Sequence, residues 1–240
     1  MKHSNIGIVI QARMGSTRLP GKSLLPVFGD MPLAGMVFAR ALSATLPDKV
    51  ILATSRESNC DPLAALGDRM GLEVIRGPED DVLARFTQAV RQFNLAHVVR
   101  ICADNPLVSG EEIDNLVRFH LDRGADYSRN NTPASGLPDG LGCEIIRASL
   151  LLDAEPDADA ASREHVTAFV SDRPAGFTTA ELVAPESLHC PNARLDIDTA
   201  EDLERMRTFI AGLPPEEGPL WSTARIVDHA RKTGLCGGEA

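Results

Sequence analysis

Apolar residues fall into two alternating rhythms along this chain. Short continuous runs, IGIVIQ (6–11), KVILATS (49–55) and HVVRICA (97–103), are rich in Val and Ile. Strands buried on both faces of a parallel sheet read this way. Between them lie stretches with helical spacing: 33–45 (LAGMVFARALSAT), 61–70 (DPLAALGDRM) and 81–93 (DVLARFTQAVRQF). Asp61 followed by Pro62 predicts a helix start and Gly71 a helix stop, after which GLEVIRG (71–77) supplies another short strand. The strand–helix–strand order predicts an α/β domain in three layers, α/β/α, on a mostly parallel twisted sheet with right-handed crossovers. No internal repeat interrupts it.

Two stretches break the rhythm. Residues 128–142 (SRNNTPASGLPDGLG) read as an irregular segment, and the acidic, alanine-rich 153–161 (DAEPDADAA) reads as a surface loop. Both suit a substrate lid, and both equally suit plain solvated loops. The 240 residues make one domain, 1–240, large enough for a sizeable core. The net charge of −10 argues against nucleic acid or an anionic membrane as partner. No apolar run approaches the roughly 20 residues that span a bilayer, and the N-terminus does not read as a signal peptide. Cys60, Cys102, Cys143, Cys190 and Cys236 are scattered and odd in number, with no C-x-x-C pair. That pattern argues against a disulfide framework or structural zinc and for the cytoplasm.

Charge becomes informative locally. The first strand runs into a loop, QARMGSTRLPGKSLL (11–25), that places Arg13, Arg18 and Lys22 within ten residues of an otherwise acidic chain. Such a cluster at a strand end points to an anion site, with a nucleoside triphosphate as the leading candidate. Five residues separate Gly15 from Gly21-Lys22-Ser23, where a Walker A loop needs four, and Pro20 removes a backbone donor. The dinucleotide pattern G-x-G-x-x-G is also absent. What is left is an open loop that wraps phosphates with side-chain cations.

Carboxylates complete the picture. In ICADNPLVSGEEIDNLV (101–117), Asp104 follows a buried strand directly, at the carboxyl end of the sheet where α/β proteins hold ligands. Ser109 and Glu112 read as a capping box for the next helix. In NARLDIDTAEDLERMR (192–207), Asp196 and Asp198 share one face of an extended segment, opposite Leu195 and Ile197. Thr199 and Asp202 form a second capping box, which leaves Asp196 and Asp198 facing either solvent or a cation. Mg²⁺ prefers one or two carboxylates together with phosphate oxygens.

The string QARMGSTRLPGKSL resembles the signature of the cytidylyltransferases that make CMP-activated sugars, a group that includes the CMP-Kdo and CMP-acylneuraminate synthetases. GPEDDVLARF (77–86), ADNPLVSGEEID (103–114), REHVTAFV (163–170) and RLDIDTAEDLE (194–204) are similar, in the same order, to the branch named for spore coat polysaccharide biosynthesis protein F. The resemblance covers residues 6–210. It implies a glycosyltransferase-A-like nucleotidyltransferase fold, Mg²⁺ dependence, CTP as donor, a sugar acid as acceptor and a homodimer, with surface polysaccharide or glycan biosynthesis as the setting. Carried onto matching positions, Arg13 and Lys22 contact the triphosphate as the catalytic cations, Ala12, Gly15, Ser16 and Arg18 line the same nucleotide loop, and Asp104 and Asp198 bind metal. Residues 120–190 are expected to hold the acceptor-binding and dimerisation elements, with Glu144 and His165 as candidate acceptor contacts. His165 reads equally as a packed helix residue, and Gly142-Cys143 departs from the pattern of related sequences beside Glu144. Rival readings are a nucleotidyltransferase that uses another NTP, one that uses a phosphonate or sugar-phosphate acceptor, and a non-catalytic nucleotide-binding protein. The segment 211–240 carries no assigned role.

Overall fold

A computed structural model describes residues 5–171 and 175–237. The apolar runs become strands at nearly the expected bounds: β1 (Ile6–Gln11), then a short ribbon of β2 (Pro26–Phe28) and β3 (Met31–Pro32). Helix α1 (Leu33–Leu42) leads to β4 (Lys49–Ser55), α2 (Asp61–Arg69), β5 (Glu73–Gly77), α3 (Val82–Phe93) and β6 (His97–Cys102). Helix α4 (Gly110–Arg123) precedes β7 (Tyr127–Arg129) and β8 (Glu144–Arg147). The chain closes with α5 (Ala148–Ala154), α6 (Ala160–Glu164), α7 (Ala168–Ser171), β9 (Thr179–Glu181), α8 (Ala200–Ala211) and α9 (Thr223–Lys232).

Local chemistry sets the helix ends. Asp81 caps α3 by accepting from the Ala84 amide, and Asn94 closes it in the left-handed region at φ 50°. Helix α1 stops three residues before the expected end, because the Asp114 carboxylate takes the Thr45 and Leu46 amides. The Thr199–Asp202 capping box forms in full on α8. Only half of the Ser109–Glu112 box forms: Ser109 accepts the Glu112 amide, whereas the Glu112 carboxylate accepts from Asn115.

The main sheet has the order β5-β4-β1-β6-β8-β7-β9. Strands β5, β4, β1 and β6 run parallel, and β8 turns back antiparallel to β6 with Arg100 opposite Glu144. One face carries an apolar core built with α1, α2, α4, α8 and α9. The other packs against α3, α5 and the Val166–Val170 turn. The result is the expected three-layer α/β/α arrangement. Among the described residues no helix is long and apolar enough to cross a membrane.

Three expectations are corrected. Residues 128–142 are not a lid or a solvated loop: Asn130 and Ser135 are fully buried, and Asn130 bonds the Cys143 amide and the Glu112 carbonyl. Gly142 is needed there, since a Cβ would come 2.3 Å from the Asn130 carbonyl oxygen. The 153–161 stretch folds into the end of α5, a 3₁₀ turn and the start of α6, with Glu155 ion-paired to Arg91 and bonded by Thr87 at 2.6 Å. Cys190 and Cys236 form a disulfide across 46 residues. The cysteine argument for a reducing compartment therefore loses its premise.

That disulfide belongs to a C-terminal segment that packs Trp221, Ile226 and Val227 into the core and is also clamped by a buried cation. Arg40 of α1 is 2% exposed and donates to the carbonyls of Val108, Pro219 and Trp221 at 2.7, 2.7 and 3.1 Å. Burial pulls its pKa down to about 10, which still leaves it charged at neutral pH. Arg40→Ala leaves buried carbonyls without a donor and is expected to cost about 3 kcal/mol or more of stability in urea unfolding. Hydrogen exchange should rise first in residues 213–237; unchanged exchange there would show that Arg40 does not hold the segment.

Candidate active site

The loop after β1 owes its path to a few bonds. The Ala12 amide bonds the Ala53 carbonyl at 3.3 Å, which keeps the chain in line with β4 for one more residue. Ser16 then accepts the Leu19 amide, and the buried Ser23 hydroxyl returns to the Arg13 carbonyl. Gly21, at φ 72°, makes the left-handed turn into a single 3₁₀ turn, Lys22–Leu24. The loop thereby folds back on itself and aims Lys22 inward.

Lys22 ends between the two predicted carboxylates. Its ammonium donates to Asp104 Oδ2 at 3.3 Å, Asp198 Oδ1 at 3.1 Å and the Ile197 carbonyl at 2.8 Å. Asp104 and Asp198 are 94 positions apart in sequence, and a backbone bond from the Ile197 amide to the Asp104 carbonyl, 2.9 Å, splices their segments together. Arg18 adds a second cation on Asp198 at 3.0 Å. Asp196 turns away and forks onto Arg194. Two hard carboxylate oxygens already converge on one positive charge, so the donor set suits a divalent ion such as Mg²⁺. Among the described residues no group of three or more His, Cys, Asp or Glu forms a ready metal cage. An ion bound here would complete its shell with water or phosphate oxygens.

A cleft of about 410 Å³ opens on this cluster, on the α3 side of the sheet. Ala12, Arg13, Gly15, Ser16, Arg18, Lys22, Asp104, Asp198 and His165 all line it. Five basic side chains face three acidic ones, in a chain whose net charge is −10. Arg13 spans the mouth, 3.4 Å from the Glu79 carbonyl, 3.7 Å from Asp80 and 3.5 Å from Glu164.

One candidate is displaced. Glu144 does not line the cleft; it is 8% exposed and sits one layer behind. Its carboxylate takes Arg100 at 2.6 Å, the Tyr127 hydroxyl at 2.6 Å and the Thr167 hydroxyl at 3.0 Å. Burial pushes this carboxyl up, and Arg100 with the two hydroxyl bonds outweighs burial and holds it below the ordinary range. With three donors on its carboxylate and no place in the cleft lining, Glu144 is not positioned as the direct acceptor contact expected from the sequence.

A cytidylyltransferase family model matches residues 7–220. The chain belongs to the cytidylyltransferase family. It is 36% identical over 211 residues to the spore coat polysaccharide biosynthesis protein SpsF of Bacillus subtilis, covering 86% of each chain. It is 35% identical over 116 residues to the 3-deoxy-manno-octulosonate cytidylyltransferase of Bdellovibrio bacteriovorus, covering 48% of this chain and 45% of that one. Among solved structures, a cytidylyltransferase from Leptospira borgpetersenii superposes with a TM-score of 0.87 at 28% identity, covering 99% of both chains. The resemblance read from the loop and its partners is thus shown, as are the nucleotidyltransferase fold and the enzyme class.

The cytidylyltransferase cleft also holds two arginines that the sequence reading passed over. Arg85 of α3 is 1% exposed, donates to the Pro78 and Glu79 carbonyls, and forms no ion pair among the described residues. Burial, and then the nearby Arg13, lower its pKa. Arg100 of β6 reaches both Glu144 and the Gln11 side-chain oxygen, the latter at 3.0 Å. A single Arg in the apolar run HVVRIC was the available signal, because a cation between buried strands has to be paired or used.

Glu144→Gln is expected to cost about 3 kcal/mol at pH 7, because it leaves Arg100 without its counter-charge. Since the folded pKa of Glu144 lies below its unfolded value, the carboxylate's contribution is full above the ordinary carboxyl range. It is lost as pH falls through the lowered folded value. Urea midpoints of the wild type and the variant should therefore converge in acid; a constant gap from pH 7 to 3 would contradict the assignment.

Proposed function

We propose that this cytidylyltransferase transfers CMP from CTP to the hydroxyl of a sugar acid of the 3-deoxy-ulosonic type and releases pyrophosphate. The observation that carries the reading is the convergence of Asp104 and Asp198 on one cation beside the Arg13–Lys22 loop. Support for the acceptor class comes from the relative named as a 3-deoxy-manno-octulosonate cytidylyltransferase and from the basic surplus of a cleft that has to take two anions at once. The setting named for the Bacillus relative, polysaccharide biosynthesis, is the natural outlet for such a product.

In this reading the acceptor oxygen attacks the α-phosphorus, forming the new P–O bond as the bond to the β-phosphate breaks. The hydroxyl proton is released, and pyrophosphate carries away the displaced electron pair. The protein contributes positioning and electrostatics, not covalent chemistry. Asp104 and Asp198 would hold Mg²⁺, whose contribution when bound is to neutralise charge on the reacting phosphate. Lys22 then exchanges a carboxylate for phosphate oxygen, and Arg13 and Arg18 steady the departing pyrophosphate. Arg85, with no carboxylate of its own, adds positive field behind them. His165, at the end of α6 in the cleft lining, is the remaining candidate acceptor contact.

The homodimer belongs to the same proposal, with residues 120–190 as its contact region. There β9 forms the outer edge of the sheet and Val183 is 56% exposed. A monomer mass by sedimentation at micromolar concentration would remove that part of it.

Pyrophosphate release measured with CTP, UTP, GTP and ATP, Mg²⁺ and a panel of 3-deoxy-ulosonic acids, phosphonates and sugar phosphates tests the whole reading. Turnover is expected with CTP and a ulosonic acid; a clear preference for another NTP or for a phosphonate would replace it. Lys22→Ala and Asp198→Asn should each lower kcat by about 10²- to 10³-fold in a chain that still folds, and Lys22→Ala, which leaves the two carboxylates facing each other, should also lower the thermal midpoint. Near-normal kinetics in either variant would remove that residue from the machinery.

A further inference from the structure

Arg100 is held more firmly than a structural ion pair requires, and part of it is left unused. Its Nε donates to Gln11 on β1 and its Nη1 to Glu144 on β8, so acceptors on two neighbouring strands fix the plane of the guanidinium. The remaining amino group, Nη2, has no partner among the described residues, and the side chain, 15% exposed, opens into the cleft. Glu144 is also bonded by Tyr127 and Thr167, so the network behind Arg100 is closed while its front presents N–H donors. An arrangement that spends its acceptors inward and its donors outward is built to receive an anion.

Position separates that anion from the triphosphate. Arg100 and Cys102 share one face of β6, roughly 6.6 Å apart, and the chain turns at residues 103–104 just beyond the strand end, so Asp104 follows directly on that end. Gln11, which Arg100 reaches, is in register with Cys102, one step closer to Asp104. The guanidinium therefore leans toward the reacting end. It does so from β6 and β8, on the opposite side of β1 from β4, where the loop residue Ala12 is anchored to Ala53.

Resting on the sugar-acid reading, we propose that Arg100, set by Gln11 and Glu144, grips the carboxylate of the acceptor. The enzyme then selects acids whose reacting hydroxyl sits on the carbon beside that carboxylate. Gripping the carboxylate at Arg100 brings the neighbouring hydroxyl to the Asp104 end of the cleft. Arg100 is thus a specificity residue that touches substrate, and Glu144 and Gln11 are positioning residues behind it.

The test uses 3-deoxy-D-manno-oct-2-ulosonic acid and N-acetylneuraminic acid, each as the free acid and as its methyl ester, with Mg²⁺ and CTP. The full-length chain is assayed for pyrophosphate release. Wild type is expected to favour the better free acid over its ester by about 10- to 100-fold in kcat/KM, the range of a charged hydrogen bond. Arg100→Lys keeps the charge but loses the fork, and should raise the acceptor KM while the KM for CTP stays put. The double variant Arg100→Gln/Glu144→Gln removes both charges together, leaves no buried charge unpaired, and should bring the acid-to-ester ratio close to one. Because that ratio compares two substrates on one preparation, partial unfolding does not move it. A preserved ratio in the double variant overturns the proposal, as does a joint rise of both KM values, which would assign Arg100 to the nucleotide. Absence of turnover by wild type with both free acids is the separate signature of a failed sugar-acid reading, and takes this inference with it.

Discussion

The site is organised by an ammonium trapped between two carboxylates. Lys22 reaches Asp104 and Asp198 only because three separate pieces of chain are fixed first: the glycine turn before Lys22, the end of β6 before Asp104, and the extended segment before Asp198. The Ile197–Asp104 backbone bond makes the spacing of the two carboxylates a property of the main chain and not of side-chain rotamers. Such a pair repels itself unless a cation lies between, so the fold needs positive charge at this point even without substrate. Lys22 meets that need in the structure described, and a divalent ion meets the same need in the proposed reaction. A requirement of folding and a requirement of catalysis fall on the same few cubic ångströms.

Around that point the sheet divides the work. Its parallel half, β5-β4-β1-β6, delivers strand ends to one edge, and the Arg13–Lys22 loop and Asp104 arise there by the ordinary geometry of a parallel α/β sheet. Beyond β6 the direction reverses, so β8 brings Glu144 to Arg100 from the opposite end. Reversal turns what would have been another ligand loop into a buried brace. The charges continue outward on the same face, with Arg129 opposite Glu144 and ion-paired to Glu181 at 3.5 Å.

Most of this was legible in sequence where the signal was local. Continuous Val and Ile runs marked the parallel strands, because burial on both faces leaves no alternation to blur. The cations of the first loop and the pair Asp104 and Asp198 stood out because polar residues at strand ends have few structural excuses. The failures share one cause: the deciding partner was far away along the chain. Glu144 looked like a substrate contact because nothing near it in sequence revealed Tyr127, Thr167 and Arg100 closing over it. Residues 128–142 looked like a lid or a solvated loop because the bonds that bury Asn130 come from Glu112 and Cys143. Cys190 and Cys236 gave no spacing motif, and Arg100 drew no notice within its strand.

The Arg40 clamp has a bearing on how the chain reaches its final form. Two of the three carbonyls it serves belong to Pro219 and Trp221, near the end of the sequence, whereas Arg40 lies in the first helix. Until residues 219–221 have been synthesised and docked, α1 carries a guanidinium facing the core with most of its donors empty. The earliest helix is therefore completed by one of the last segments. Cooperativity extends across nearly the full length of the polypeptide, and a prematurely terminated chain would betray itself through a charge it cannot satisfy.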